Sequence, residues 1–283
     1  MNTVFIQANN KQLFGARLAA FALTMTAKDA RAFHIEILNV DSLSPFAHVH
    51  GKTFKRWGQL IDASEADLQS FTLSRFMPPE LMGFQGRAIV IDPDIFALSD
   101  IGELFSLDMQ GRAIAACAKK GAWDSSVMLL DCAQLSHWRI KDLLHDLYSH
   151  ERDYDEIMTL AREGSVLELS RDWNSLDVLS PGARMLHTTN RITQPWKTGL
   201  PVDFKRRPLP KIFGIIPREP LLRVLGKYHM TYQRHPDPEI EAYFFKLVAR
   251  ALQANTISRT EIQHEIERGH VRQDLWECIS RYI

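Results

Sequence analysis

Two carboxylates one residue apart close an apolar run: Ile89-Val90-Ile91 leads directly into Asp92-Pro93-Asp94. A buried strand that ends this way delivers both side chains at its carboxyl end, the edge of an open α/β sheet where ligands bind. Two hard oxygen donors at that spacing can share one divalent cation, and such a cation can hold a diphosphate. The plain alternative is a turn, because Asp often bonds its own backbone there. A further alternative makes Asp92 a phosphatase nucleophile and Asp94 its acid and base. That motif is expected near a chain start, with a later Lys and an acidic pair. Its position at residue 92, followed by Ile95-Phe96, speaks against it.

The elements that would position this pair alternate. Val4-Phe5-Ile6, the run Ile35 to Val40, Arg87 to Ile91, Ala113 to Ala118 and Val127 to Leu130 read as strands. Ala16 to Met25 and Asp67 to Phe76 read as helices, the second ended or bent by Met77-Pro78-Pro79. Alternation of this kind predicts an α/β domain with a mostly parallel sheet.

The character changes near residue 204. Phe204 to Lys227 carries seven Lys or Arg, one acidic residue (Glu219) and four prolines. Beyond it Asp237-Pro238 is a helix start, and Ile240, Tyr243, Phe244, Leu247, Ala251 and Leu252 form an apolar stripe suited to core packing. Ser258-Arg259-Thr260-Glu261 is a capping-box pattern, with Gly269 a plausible end of that helix. The expected division is therefore a domain over 1–204, then a basic segment and a small helical region over 205–283.

Lys plus Arg and Asp plus Glu both number 34, so the formal charge is zero, which argues against a dedicated nucleic-acid binder. Cys117, Cys132 and Cys278 lack metal-ligand spacing and leave an odd count, which fits a reduced, cytoplasmic setting. No basic leader precedes the first strand, and the apolar stretch Leu13 to Ala27 contains Arg17 and is too short to span a bilayer.

A series of short motifs, in order over residues 3 to 200, resembles the family-8 retaining glycosyltransferases, which have the GT-A fold. Phe71 to Leu81 resembles the family's helix with an arginine, Arg75, ahead of an apolar-Pro-Glu-Leu ending. Gly86 to Asp94 resembles its strand and metal motif, and Asp100-Ile101-Gly102-Glu103-Leu104 the segment that follows. Trp123 to Leu129 stands where the family has an aromatic-Asn-small-Gly-apolar run, and Asp153-Tyr154-Asp155 where it has Asp-Gln-Asp. Leu169 through Trp173-Asn174 resembles Leu-Pro-x-x-Trp-Asn, and His187 with Gln194-Pro195-Trp196 its His…Lys-Pro-Trp element.

The resemblance implies a GT-A-like, mostly parallel sheet flanked by helices, with Asp92, Asp94 and His187 holding Mn2+ or Mg2+ on the diphosphate of a uridine nucleotide-sugar. It implies transfer of the sugar to an acceptor with retention of anomeric configuration. On the donor side, Gln7, Ala8 and Asn9 would approach base and ribose, and Arg75 the sugar or phosphates. Asn190 and Gln194 occupy the diphosphate-contacting positions. Asp124 stands at the acceptor-side position, and Asp153 and Asp155 would hold donor-sugar hydroxyls. This chain departs from the family where Asn190 replaces a Gly, Gln194 a Lys, Asp124 an Asn and Tyr154 a Gln. The cation at the phosphate is lost unless Arg191 or Lys197 replaces it. The departures at Asp124, Tyr154 and Gln194 motivate a second reading, a nucleotide-sugar-binding scaffold without turnover. A lipid-linked glycan as acceptor, and peripheral contact of the basic segment with the inner membrane face, complete the expectations.

Overall fold

The computed structural model describes residues 2–49, 51–64, 67–204, 206, 209, 215 and 217–283. The strands are β1 (Asn2–Ala8), β2 (Phe33–Asn39), β3 (Thr53–Arg56), β4 (Gln59–Asp62), β5 (Arg87–Ile91), β6 (Ile95–Ala97), β7 (Ile114–Lys119), β8 (Ala122–Asp131), β9 (Val166–Glu168), β10 (Ser175–Leu176) and β11 (Met185–His187). The α-helices are α1 (Leu13–Thr26), α2 (Pro78–Leu81), α3 (Gly102–Phe105), α4 (Ile140–Tyr148), α5 (Tyr154–Met158), α6 (Arg218–Val224), α7 (Pro238–Gln253), α8 (Arg259–Glu267) and α9 (Leu275–Ile279).

Six strands form the central sheet in the order β2-β1-β5-β8-β7-β9. The pairs β1–β2, β1–β5 and β7–β9 are parallel, and β8 runs antiparallel to both neighbours. The expected mostly parallel α/β sheet is thus present, with one reversed strand. The reversal is a tight hairpin. Lys120 and Gly121 link the paired Lys119 and Ala122 with φ of 44° and 80°, the twist a two-residue hairpin turn needs.

Side-chain alternation buries the sheet on both faces. Val4, Ile6, Ile89 and Ile91 pack towards α1, while Phe5, Ala88 and Val90 pack towards the segment 71–77 and α4. Helices α7, α8 and α9 join the first of these cores: Phe244 stacks on Trp196 at 5.1 Å between ring centroids and meets Phe14 edge-on. The capping signals act as expected. Asp237 accepts from the Glu239 N–H with Pro238 at the first turn, and Ser258 and Glu261 form a reciprocal capping box. Gly269, at φ 71°, follows the end of α8.

One expected helix is largely absent. Only Thr72–Phe76 is helical, and as a 3-10 turn. Ahead of it, the Asn9 side chain donates to the Asp67 and Leu68 carbonyls and to Ser70 Oγ, and the Leu68 N–H donates to the Asp203 carbonyl. Long-range bonds have replaced the local ladder. The prolines act differently too: Pro78 and Pro79 start α2, where a missing N–H costs nothing. Among the described residues, no helix is long and apolar enough to cross a membrane.

Candidate metal and donor site

β5 ends at Ile91, and the Asp92 N–H closes onto the Ser126 carbonyl of β8 at 3.2 Å. The chain then turns through Pro93 into β6, which pairs with β11 and so sets His187 opposite Ile95. Thr188 fastens the turn, donating through its N–H and its hydroxyl to the Asp94 carbonyl, each at 3.1 Å. The first turn of α1 lies directly against it: a Cβ on Gly15 would sit 2.7 Å from the Pro93 carbonyl oxygen. Glycine is therefore what allows α1 to support the carboxylate turn at this distance.

These constraints bring Asp92, Asp94 and His187 together, all buried, with one ligand atom from each within 4.8 Å of the others. Nε2 of His187 faces Asp94 at 3.5 Å. Its orientation is fixed from behind. Asp124 accepts from the Ser126 hydroxyl at 2.6 Å, and Asn174 Nδ2 donates to that hydroxyl at 3.0 Å. The Asn174 carbonyl oxygen is thereby turned to the ring, which donates from Nδ1 at 2.8 Å. A histidine bonded through Nδ1 in this way presents Nε2 as the metal-binding atom.

Charge balance in the cluster is uneven. Burial pushes the Asp92 carboxyl up, against the pull of the Arg75 guanidinium, and the neighbouring Asp94 adds to the rise. Burial opposes ionisation of Asp94 as well, but the His187 charge and bonds from His187 and Gln194 outweigh it and hold that carboxyl low. Burial disfavours the His187 cation, yet Asp94, then Asp92 and Asp124, raise its pKa. Arg75 forks onto both Asp92 oxygens and also reaches Ser125 Oγ at 3.0 Å. Gln194 Nε2 donates to Asp94 at 3.0 Å, while its own carbonyl oxygen is buried without a partner, as is that of Gln12. Two carboxylates, an imidazole and nearby unpaired oxygens form a donor set suited to a hard divalent cation.

The cluster lines a cavity of about 290 Å³. Of the residues expected from sequence, Asp92, Asp94, His187, Arg75, Asp124, Asp155, Arg191 and Gln194 share that cavity. The others lie elsewhere. Gln7, Ala8 and Asn9 are enclosed at the end of β1, with Asn9 spent on the 67–70 turn. Asp153 caps α5, Asn190 donates its N–H to Asp177, and Lys197 is buried in an ion pair with Asp203 at 3.0 Å. Sequence reasoning missed Ser125, Ser126 and Asn174 as supports, although all three stand inside motifs it had singled out. It also missed Arg56, Gln69 and Thr72, which also line the cavity. Arg56 ends β3 in a two-stranded hairpin that no motif marks.

A second cavity, of about 660 Å³, adjoins the first through Arg56, Gln69, Thr72 and Tyr154. Its walls include Asn10, Lys11, Asp41, Phe46 and Phe54.

The sequence profile of glycosyl transferase family 8 matches residues 4–192, which span the sheet, the carboxylate turn and His187. No match is found among the curated proteins. Among solved structures, the glycosyltransferase GlyE of Streptococcus pneumoniae TIGR4 is 18% identical, with a TM-score of 0.48 over 69% of this chain and 56% of that one. LgtC, described as a galactosyltransferase in complex with donor and acceptor sugar analogues, is 13% identical, with a TM-score of 0.46 over 69% of this chain and 89% of its own. Mouse xyloside xylosyltransferase 1 is 15% identical, with a TM-score of 0.42 over 67% and 98%. The chain spans little more than half the length of GlyE.

Proposed function

The chain belongs to glycosyl transferase family 8, and from that membership we propose that it transfers a sugar from a uridine nucleotide-sugar to a hydroxyl acceptor, with retention. The observation that carries the reading is the convergence of Asp92, Asp94 and His187 at the end of β5. These three residues would hold Mn2+ or Mg2+. When bound, the ion neutralises charge on the departing nucleoside diphosphate. The protein's own groups do the rest. Arg75 holds Asp92 in place, and the Asp124–Ser126–Asn174 chain aims His187. Asp124 and Asp155, both on the cavity, are the carboxylates available to orient donor-sugar and acceptor hydroxyls. Burial keeps competing water away from these bonds, where preorganised charge acts most strongly.

The test is incubation of the chain with UDP-sugars and a range of glycan acceptors, with Mn2+ or with chelator, reading UDP release and the anomeric configuration of the product. Metal-dependent release with a retained product supports the reading. Donor binding without release or transfer favours the scaffold alternative, for which Asp124, Tyr154 and Gln194 at the family's Asn, Gln and Lys positions are the motive. The phosphatase alternative draws no support from the family match.

We extend the proposal to placement at the inner, cytoplasmic membrane face with a lipid-linked acceptor. Part of the basic segment, including Lys205, Arg207 and Lys211, lies outside the described residues. In the described part, α6 buries none of its residues, and Ile215, Leu221, Val224 and Leu225 are exposed. Exposed apolar side chains among Arg and Lys suit an anionic interface. Vesicle co-sedimentation tests this. Binding should need anionic lipid, weaken with salt and fall in a Lys205→Glu, Arg206→Glu, Arg207→Glu variant. Equal binding to neutral vesicles, or none to either, excludes it.

A further inference from the structure

Two arginines on the metal cavity, Arg56 buried and Arg191 half-buried, are joined; Arg56 belongs to no expected motif position, and Arg191 is one of the two cations the sequence offers in place of the family's Lys. Arg56 Nη2 and Arg191 Nη1 donate to the same oxygen, Oε1 of Gln69, at 2.9 and 2.7 Å. A neutral amide oxygen holds two guanidinium groups together but neutralises neither. Arg56 lies between the Trp57 and Tyr154 rings at 4.4 and 4.2 Å, and Arg191 lies over Phe204 at 5.5 Å. Aromatic faces stabilise a cation and fix its plane while leaving its N–H edge available. The carboxylate nearest Arg56 is Asp67, at 3.9 Å, and Arg56 Nε is buried without a partner. Among the described residues, no carboxylate lies within ion-pair distance of Arg191. Burial lowers the pKa of Arg191, and the Arg56 charge adds to the fall, whereas Tyr154, Asp94 and Asp67 oppose it.

Two further cations on this cavity are paired more closely, Arg75 with Asp92 and Lys119 with Asp124 at 3.5 Å, against 3.9 Å for Arg56 with Asp67. The cavity therefore has a carboxylate pole at Asp92 and Asp94 and a guanidinium pole at Arg56 and Arg191. An anion held between a cation at the first pole and forked donors at the second would satisfy both. A diphosphate has the charge and the number of acceptor oxygens to do so.

We propose that Arg56 and Arg191, aligned by Gln69, form the clamp for the β-phosphate of the donor, supplying the cation that Gln194 does not. The proposal rests on the nucleotide-donor reading above. It links two departures of this chain. Gln194 turns to Asp94 instead of to the phosphates, and Tyr154 anchors the arginine that takes over, with its hydroxyl bonded to Thr72 at 2.7 Å. Lys197, the other cation near that position, is committed to Asp203.

The test is calorimetric titration of the full chain with Mn2+ alone, then with UDP and with UMP in the presence of Mn2+, for wild type, Arg191→Met and Arg56→Met. A lost charge-assisted fork should weaken UDP about tenfold or more in each variant, change UMP less than about threefold, and leave Mn2+ binding intact. Equal losses for UDP and UMP, unchanged UDP binding, or loss of Mn2+ binding in the variants overturns the clamp. If wild type binds Mn2+ but no UDP, the donor reading itself fails and the clamp with it, which differs from tight UDP binding by wild type and variants alike. Arg191→Gln, which keeps a polar side chain, gives the same readout if Arg191→Met does not fold.

Discussion

Two buried polar clusters flank Gln194-Pro195-Trp196, and they differ in how far the protein closes them. On one side Lys197 Nζ meets Asp203 at 3.0 Å, and the Tyr232 hydroxyl donates to the other Asp203 oxygen at 2.6 Å, with Lys11 at 3.7 Å. Every charge there has a counter-charge from the chain. On the other side two carboxylates sit beside each other, two amide oxygens lack partners, and two arginines share one neutral acceptor. Buried charge occurs in both clusters. What would mark the second cluster as a binding site is its unpartnered amide oxygens and the arginine pair on a neutral acceptor, left for a ligand to complete.

That contrast is breakable by mutation. Asp94→Asn should cost transfer on the order of a thousandfold while the chain still folds, because the lost charge is the one a bound cation would need. Near-native turnover in a steady-state assay removes Asp94 from the site. Asp203→Asn should do the opposite. It strands the Lys197 ammonium, so denaturant unfolding should show a loss of about 3 kcal/mol, with Mn2+ affinity unchanged.

The acid limb sharpens the same point. Burial works against the Asp203 charge, but Lys197 and the bonds from Tyr232 and Lys197 outweigh it and lower the carboxyl below its usual 3.8. A depressed folded value gives stability that is present above the unfolded value and lost as pH falls through the folded one. Wild type should therefore lose stability below about pH 4 more steeply than Asp203→Asn in acid unfolding. Parallel acid limbs would mean the pair contributes no pH dependence.

Smaller effects are expected from residues that only position the site. Asn174→Ala frees the His187 ring and should weaken Mn2+ by about 10- to 100-fold with little change in fold, as read by electron paramagnetic resonance titration. Unchanged affinity would show that His187 needs no support from behind. Gly15→Ala pushes a methyl against the Pro93 carbonyl and should cost about 1–3 kcal/mol of stability, with a modest loss of Mn2+ affinity. A variant as stable as wild type would mean the turn can move freely.

Much of the open cluster was legible in the sequence because its residues sit at ends of regular elements. Asp92 ends an unmistakable strand, and His187 stands ahead of Pro195-Trp196, so order along the chain carried the assignment. The supports were harder to read. Asn174 and Ser126 bond across distant segments, and nothing in either local pattern shows which group faces which. Lys197 shows the limit: its proximity to the Pro-Trp pair suggested the phosphates, but a bond to Asp203 six residues on turned it away. The same long-range capture undid the expected helix at Asp67, where Asn9 holds the backbone. Arg56 carried no signal, since its partners Gln69 and Tyr154 meet it only in the folded chain.

The most direct test of the central claim is calorimetric titration of UDP into the full chain with Mn2+ and again with excess chelator. A cation shared by Asp92, Asp94 and His187 predicts measurable binding with Mn2+, its loss in chelator, and no recovery with Mn2+ in Asp94→Asn. Equal UDP binding with and without the metal would contradict it.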